Sequence, residues 1–264
     1  TYDVWLQAAL NLQKWRWENQ WPSTVFYANI PSYTLKVYEN NEIIQTHRTV
    51  TGAPFTSTPT LDSKLQHFII NPEWYVPYSI TSGELIPKMK KDSTYLERNG
   101  YSIVSKSGVT IKDIDWSNAS SSNFKYSIKQ GKGSGNALGR VKFIFNNKHS
   151  VYFHDTPSKS FFEKDVRAFS HGCVRIQNPF DLVDYIVKRE QYNHLTKDSV
   201  QNIVKAGNQK TVKLKQEYPI KIRYYTSSGD TLGNLKTYID IYQKDVQLKE
   251  ILEQYLFGEK TEQK

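Results

Sequence analysis

Four short runs of β-branched and aromatic residues constrain the fold more than any other feature of the chain. Val25-Phe26-Tyr27-Ala28-Asn29-Ile30, Tyr33-Thr34-Leu35-Lys36-Val37-Tyr38, Ile43 to Val50 and Gln66 to Asn71 each have the length and composition of a strand. Glu39-Asn40-Asn41-Glu42 and Thr51-Gly52-Ala53-Pro54 separate them as turns, so the pattern predicts an antiparallel sheet. It returns in Arg140 to Phe145 and Ser150 to His154, joined by a hairpin-like turn at Asn146-Asn147-Lys148-His149. Later runs lie at Thr211 to Leu214, Ile220 to Tyr225 and Lys236 to Tyr242, with a turn at Gly229-Asp230.

Helical spacing is confined to a few segments. Val4, Trp5, Ala8, Ala9, Leu12 and Trp15 mark an amphipathic helix that Trp21-Pro22 ends, with its tryptophans expected in a core. A helix-like segment spans Ile86 to Leu96. Asn178 is the expected N-cap of a helix with Pro179 at its first position and Phe180, Leu182, Val183, Ile186 and Val187 on its apolar face. A short helix near Asp198 to Ala206 and an amphipathic one ending at Phe257 complete the set, and Glu259 to Lys264 read as a frayed polar tail. The expected class is mostly β with α, a β-rich α+β fold of one or two units in 264 residues.

Residues 72 to 140 break the strand rhythm, and an insertion of that length between sheet elements is usually functional, often a lid. Its Gly131-Lys132-Gly133-Ser134-Gly135 stretch lacks the Gly-Lys-Ser/Thr of a phosphate loop, which argues against nucleotide binding. Net charge is +9, yet Lys88, Lys90 and Lys91 form the densest basic cluster and no nucleic-acid motif accompanies it. Nucleic acid is therefore not an expected partner. No apolar run reaches the roughly 18 residues of a membrane span. The first residues carry Asp3, Lys14 and Arg16 rather than a signal peptide, as in a mature or trimmed fragment.

Cys173 is the only cysteine, so no internal disulfide is available to it. A lone cysteine is by default a small buried hydrophobe. Its neighbours in Ser170-His171-Gly172-Cys173-Val174-Arg175 favour a reactive thiol instead: Gly172 allows close substrate approach, while His171 and Arg175 flank the sulfur with polar groups. A thiolate needs a base, and two histidines qualify. His171, two positions away, would share a face with Cys173 in an extended segment; His154 ends a strand nineteen residues upstream, which a strand, loop and return strand could bring back. His47 and His67 lie within strands without metal-ligand spacing and are expected to be structural.

Tyr152-Phe153-His154-Asp155-Thr156-Pro157 followed by Arg167-Ala168-Phe169-Ser170-His171-Gly172-Cys173-Val174-Arg175 resembles the signature of the L,D-transpeptidases, the YkuD-type cysteine enzymes that crosslink peptidoglycan. Leu12 to Trp17, Asn29-Ile30-Pro31, Asn71-Pro72 with Trp74, Val76 and Pro77, and Asn136 to Arg140 are similar to the large periplasmic, YcbB-like subgroup with a capping insertion. Members of that subgroup often carry Ser where His171 stands.

The resemblance implies a YkuD-type β-sandwich or barrel-like core over residues 23–264, a capping subdomain at about 72–140, and residues 1–22 as the leading helix of a scaffold. It also implies further peptidoglycan-binding and scaffold domains in a longer protein. Cys173 would be the nucleophile and His154 the general base, oriented by the backbone near Asp155, with His171 shaping the site. The N–H groups of Cys173 and Gly172 and the Tyr152 hydroxyl would hold the oxyanion. Arg175, Ser170, Trp74, Tyr75 and Tyr78 would contact substrate, and neither metal nor cofactor is called for. The implied reaction forms 3→3 crosslinks between tetrapeptide stems, donor and acceptor, in the periplasm or cell envelope, with carbapenems expected to acylate Cys173. Carboxypeptidase, protein-anchoring and non-catalytic wall-binding roles are the alternatives.

Overall fold

The computed structural model describes residues 2–18, 21–192, 194–230 and 232–258; the predicted tail at Glu259 to Lys264 lies outside them. Helix α1 (Tyr2–Arg16) precedes four strands, β1 (Thr24–Asn29), β2 (Thr34–Glu39), β3 (Glu42–Gly52) and β4 (Leu61–Ile70). Asn40 and Asn41 adopt φ of 49° and 69°, the left-handed pair that a two-residue hairpin needs, and β2 returns directly as β3.

Between β4 and the next barrel strand the chain builds a smaller layer with its own core. Strand β5 (Trp74–Tyr75) leads into α2 (Tyr78–Ile80), a π-helical turn at Thr81–Leu85, and α3 (Ile86–Lys91). The expected helix from Ile86 to Leu96 breaks at Asp92, whose carboxylate accepts the Thr94 N–H, and resumes as α4 (Tyr95–Arg98). Strands β6 (Tyr101–Val104), β7 (Thr110–Ile111) and β8 (Ser127–Gln130) complete a four-stranded sheet in the order β5-β8-β6-β7. Ile80, Leu85, Ile86, Met89, Leu96, Ile103, Phe124 and Ile128 are buried together there, apart from the main core.

The main sheet resumes with β9 (Val141–Phe145), β10 (Phe153–His154), β11 (Ala168–Ser170) and β12 (Val174–Ile176), followed by α5 (Pro179–Glu190), α6 (Lys197–Ala206) and the long β13 (Lys210–Arg223). Its order is β11-β3-β12-β10-β9-β4-β13-β1-β2, and β2 also pairs with β3, which closes eight strands into a ring. The expected antiparallel pairing holds for β1 with β2 and β2 with β3, but the sheet is mixed: β1 runs parallel to β13, β10 to β12 and β11 to β3. The two runs expected at 211–214 and 220–225 are one strand, because a register shift between Lys213 and Tyr218 absorbs the polar residues between them. Phe26, Phe68, Phe143, Phe153, Val174 and Ile220 fill the core with Leu182, Val183 and Ile186 of α5. Asn178 enters α5 in the left-handed region (φ 49°) and its side chain caps nothing; its backbone carbonyl accepts the Asp181 N–H instead.

A hairpin of β14 (Ser227–Gly229) and β15 (Leu235–Thr237) and a final helix α7 (Asp245–Phe257) pack with α1 on one flank. The strand expected from Lys236 to Tyr242 stops at Thr237. On α1 the buried residues are Leu6, Leu10 and Asn11, whereas Trp5 is 51% and Leu12 66% exposed, so the predicted apolar face is not the one packed. Polar docking sets that rotation: Asn11 exchanges two hydrogen bonds with Thr226, and Gln7 donates to the carbonyls of Thr226 and Tyr238. Glu18 then pairs with Arg223 and Lys221 of β13, tying the segment after α1 to the ring.

Candidate active site

The parallel pairing of β10 with β12 sets His154 opposite Arg175 and Phe153 opposite Val174, so the residue preceding β12, Cys173, arrives beside the end of β10. Both His154 and Cys173 line a cleft of about 420 Å³ between the ring and the smaller layer. From the ring side come His149, Tyr152, His154, Ser170, His171, Cys173 and Arg175. Trp74, Ile80, Glu84, Leu85, Lys88, Tyr95 and Tyr101 supply the opposite wall, and Ala137 and Leu138 close one end.

His154 is buried, and its Nδ1 lies 2.5 Å from the Asp155 carbonyl oxygen. A carbonyl only accepts, so Nδ1 carries the proton and Nε2 keeps the lone pair. Burial, reinforced by the nearby Arg175 and Lys142 cations, lowers the imidazole to about 3, while the bond to Asp155 opposes the shift. Asp155 is itself pinned: its side chain accepts the Arg140 N–H at 2.8 Å and pairs with Lys159, and its own N–H donates to Val141. Gly139, at φ +60°, leaves the space this carboxylate needs, since a Cβ there would stand 2.3 Å from Asp155 Oδ2.

Cys173 is partly exposed, with Sγ 3.9 Å from the Ser150 carbonyl oxygen. Burial of the thiolate pushes the thiol up to about 11, against the pull of the Tyr152 N–H and hydroxyl and of Arg175 and Lys142. Burial thus disfavours the charged form of both groups. Tyr152 lies over His154 at 5.6 Å between ring centroids, and Lys142 sits 5.7 Å from the Tyr152 ring.

The loop before Cys173 is held from within. Gly172 has φ +109°, so the segment is not the extended one expected, yet His171 and Cys173 both line the cleft. Ser170, expected to meet substrate, is buried; its hydroxyl donates to the Cys173 carbonyl at 2.5 Å and accepts the Gly172 N–H at 3.1 Å. That bond also removes Gly172 from the expected oxyanion donors. Thr58 donates to the Gly172 carbonyl at 2.8 Å and Thr56 to that of Ser170 at 2.9 Å. Neither threonine carried a sequence signal, because both act through backbone carbonyls more than a hundred residues away.

Arg175 faces the cleft with its Nε buried and without a hydrogen-bond partner among the described residues, its guanidinium 5.7 Å from the Phe161 ring. Trp74 lines the cleft, but Tyr75 and Tyr78 do not. Strand alternation turns Tyr75 outward beneath Lys129, and the Tyr78 hydroxyl donates to the Ser121 carbonyl. His171 meets Glu84 across the cleft, Nε2 to Oε1 at 2.5 Å; Glu84 was not foreseen in the sequence. His47 is buried between the Gln177 carbonyl and Gln45, and His67 lies on β4, both away from the cleft. Among the described residues no group of three His, Cys, Asp or Glu could hold a metal ion, and no helix is long and apolar enough to cross a membrane.

Residues 23–201 match the family model of the YkuD L,D-transpeptidase catalytic domain, and the chain belongs to that family. A Haemophilus influenzae protein named "Putative L,D-transpeptidase" is 31% identical over 244 residues, covering 91% of this chain and 48% of its own length. The chain thus spans about half of that curated relative. Among solved structures, an L,D-transpeptidase from Mycobacterium smegmatis aligns with 12% identity over 76% of this chain and 58% of its own, TM-score 0.33. An L,D-transpeptidase in complex with imipenem aligns with 15% identity over 76% of this chain and 59% of its own, TM-score 0.35.

Proposed function

We propose that this domain is a peptidoglycan L,D-transpeptidase that forms 3→3 crosslinks through a thioester at Cys173, acting in the cell envelope. The observation that carries the proposal is the meeting of Cys173 and a tautomer-fixed His154 in one cleft, in a chain of this family. As the sulfur attacks the carbonyl of the third residue of a tetrapeptide stem, His154 Nε2 takes the thiol proton and passes it to the departing D-alanine amine. Because burial disfavours both the thiolate and the imidazolium, the proton moves with the attack in this reading.

The Cys173 N–H and the Tyr152 hydroxyl would hold the oxyanion, a role supported for Tyr152 by its side-chain hydrogen bond toward Cys173. Arg175, with an unsatisfied buried Nε, supplies a cation for a stem carboxylate. The wall made by Trp74, Ile80 and Leu85 limits water at the thioester, which favours transfer to the amine of a second stem over hydrolysis.

Incubation with disaccharide-tetrapeptide tests the proposal. The expected products are free D-alanine and a 3→3 dimer, both abolished in Cys173→Ala. Tripeptide without dimer would instead identify a carboxypeptidase, and stem attached to a protein lysine an anchoring enzyme. Retained activity in Cys173→Ala overturns the assignment. Intact-protein mass measurement with a carbapenem should show one adduct on the wild type and none on Cys173→Ala.

A further inference from the structure

Conversion of an acceptor ammonium to an amide releases two protons, and one imidazole cannot hold both. A primary amine with a pKa of about 10.4 reaches the site protonated and without a lone pair. His154 is poorly placed to meet it, since the Arg175 and Lys142 cations lie beside that imidazole. Glu84 is the single carboxylate among the described residues lining the cleft, and its Oε1 holds His171 Nε2 at 2.5 Å.

With Glu84 Oε1 as acceptor, His171 Nε2 is the donor, and in the neutral imidazole that tautomer leaves the lone pair on Nδ1. No hydrogen bond to Nδ1 is formed among the described residues. Lys88 lies 3.6 Å from the other carboxylate oxygen of Glu84. His171 also borders a second recess of about 470 Å³, lined by Ser57, His149, Gly172 and Lys244, so it stands at the boundary between the cleft and a further opening. Glu84 itself projects from the π-helical turn Thr81–Leu85, a local geometry that recurs at functional sites.

We propose that His171, oriented by Glu84, takes the proton from the incoming acceptor ammonium, so that the site holds one base for the thiol and another for the amine. This rests on the transpeptidase proposal above. The ammonium gives one proton to His171 Nδ1, and the resulting imidazolium is balanced by Glu84. The freed lone pair forms the C–N bond at the thioester carbonyl, His154 Nε2 takes the second proton, and the C–S bond breaks. The thiolate recovers that proton from His154, while His171 returns the first to solvent; Glu84 is a positioning residue throughout.

The test compares dimer formation with D-alanine release in wild type, Glu84→Gln and Glu84→Asp, using disaccharide-tetrapeptide as donor and acceptor. In Glu84→Gln the ratio of dimer to D-alanine should fall about tenfold or more, the scale of a lost general base, with hydrolysed tripeptide in its place. Glu84→Asp should recover part of it. The ratio should also recover as pH approaches about 10, where amines deprotonate unaided. Methoxyamine, already neutral at pH 7, should resolve the thioester equally well in wild type and Glu84→Gln. An unchanged ratio overturns the inference, and so does a lowered ratio that neither high pH nor methoxyamine restores, which would make the pair a structural latch. Absence of D-alanine release from the wild type is a different result and counts against the transpeptidase assignment itself.

Discussion

His154 Nδ1 lies 2.5 Å from the carbonyl oxygen of Asp155, its neighbour in the chain, so the tautomer of the candidate base is set by main chain rather than by a carboxylate. The Asp155 side chain works one step further out, fixing that carbonyl through Arg140 and Lys159. Asp155→Ala should cost about 1–3 kcal/mol, the penalty of leaving the Arg140 N–H unpaired, and should slow carbapenem acylation. Gly139→Ala should do the same from outside the cleft, because its Cβ would displace the carboxylate. Urea unfolding and adduct formation measured on the same samples check both.

The raised Cys173 thiol gives a pH signature. Alkylation by iodoacetamide should climb steadily through neutrality and level only near about 11. Arg175→Gln and Lys142→Met each remove a cation that favours the thiolate, so at a given pH alkylation should slow, by about tenfold for each unit the thiol rises. A plateau already reached at neutral pH would mean a resting thiolate and imidazolium instead.

His154 gives the complementary signature in stability. Unfolded, its imidazole binds a proton near the ordinary 6.5; folded, burial delays this to about 3. Between those values the unfolded chain holds the additional proton, so falling pH favours unfolding, while above 6.5 the full contribution is present. His154→Gln should therefore lose less stability than wild type as pH drops from about 7 to about 4. Parallel urea midpoints in the two proteins would refute this attribution.

Gly172→Ala isolates backbone geometry from chemistry. No atom closer than 3.7 Å meets an added Cβ, so the cost comes from holding alanine at φ +109°, on the order of 1–3 kcal/mol. Relief of that strain would turn the loop and break the Ser170 and Thr58 bonds around it. The expected outcome is slower acylation with a smaller loss of global stability, read by carbapenem adduct rate and thermal melting.

Local pattern was sufficient for most strands, since alternation and turn chemistry act over a few residues. Asn40-Asn41 marked a hairpin because both positions need the left-handed region. The parallel pairings left no local mark: β1 and β13 meet across nearly two hundred residues, and nothing within either specifies direction. On α1, indoles predicted the buried face, but Asn11 and Gln7 chose it by binding Thr226 and Tyr238. At the site, Cys173 and His154 were evident as chemistry-bearing residues. Tyr78 does not line the cleft as expected, because a hydroxyl in sequence does not say whether it faces a ligand or a neighbouring carbonyl. Glu84 escaped notice because only the fold of the smaller layer brings it to His171.

Closure of the ring bears on where the catalytic unit can be cut. The family match ends at residue 201, yet β13, at Lys210–Arg223, joins β4 to β1. A chain shortened to the matched boundary would carry Cys173 and His154 but leave two long strands with bare edges, one on each side of the gap. The family model and the mechanically complete unit thus have different limits in this protein: the strand that makes the barrel whole lies beyond residue 201, within the 91% of the chain that aligns with the Haemophilus influenzae relative.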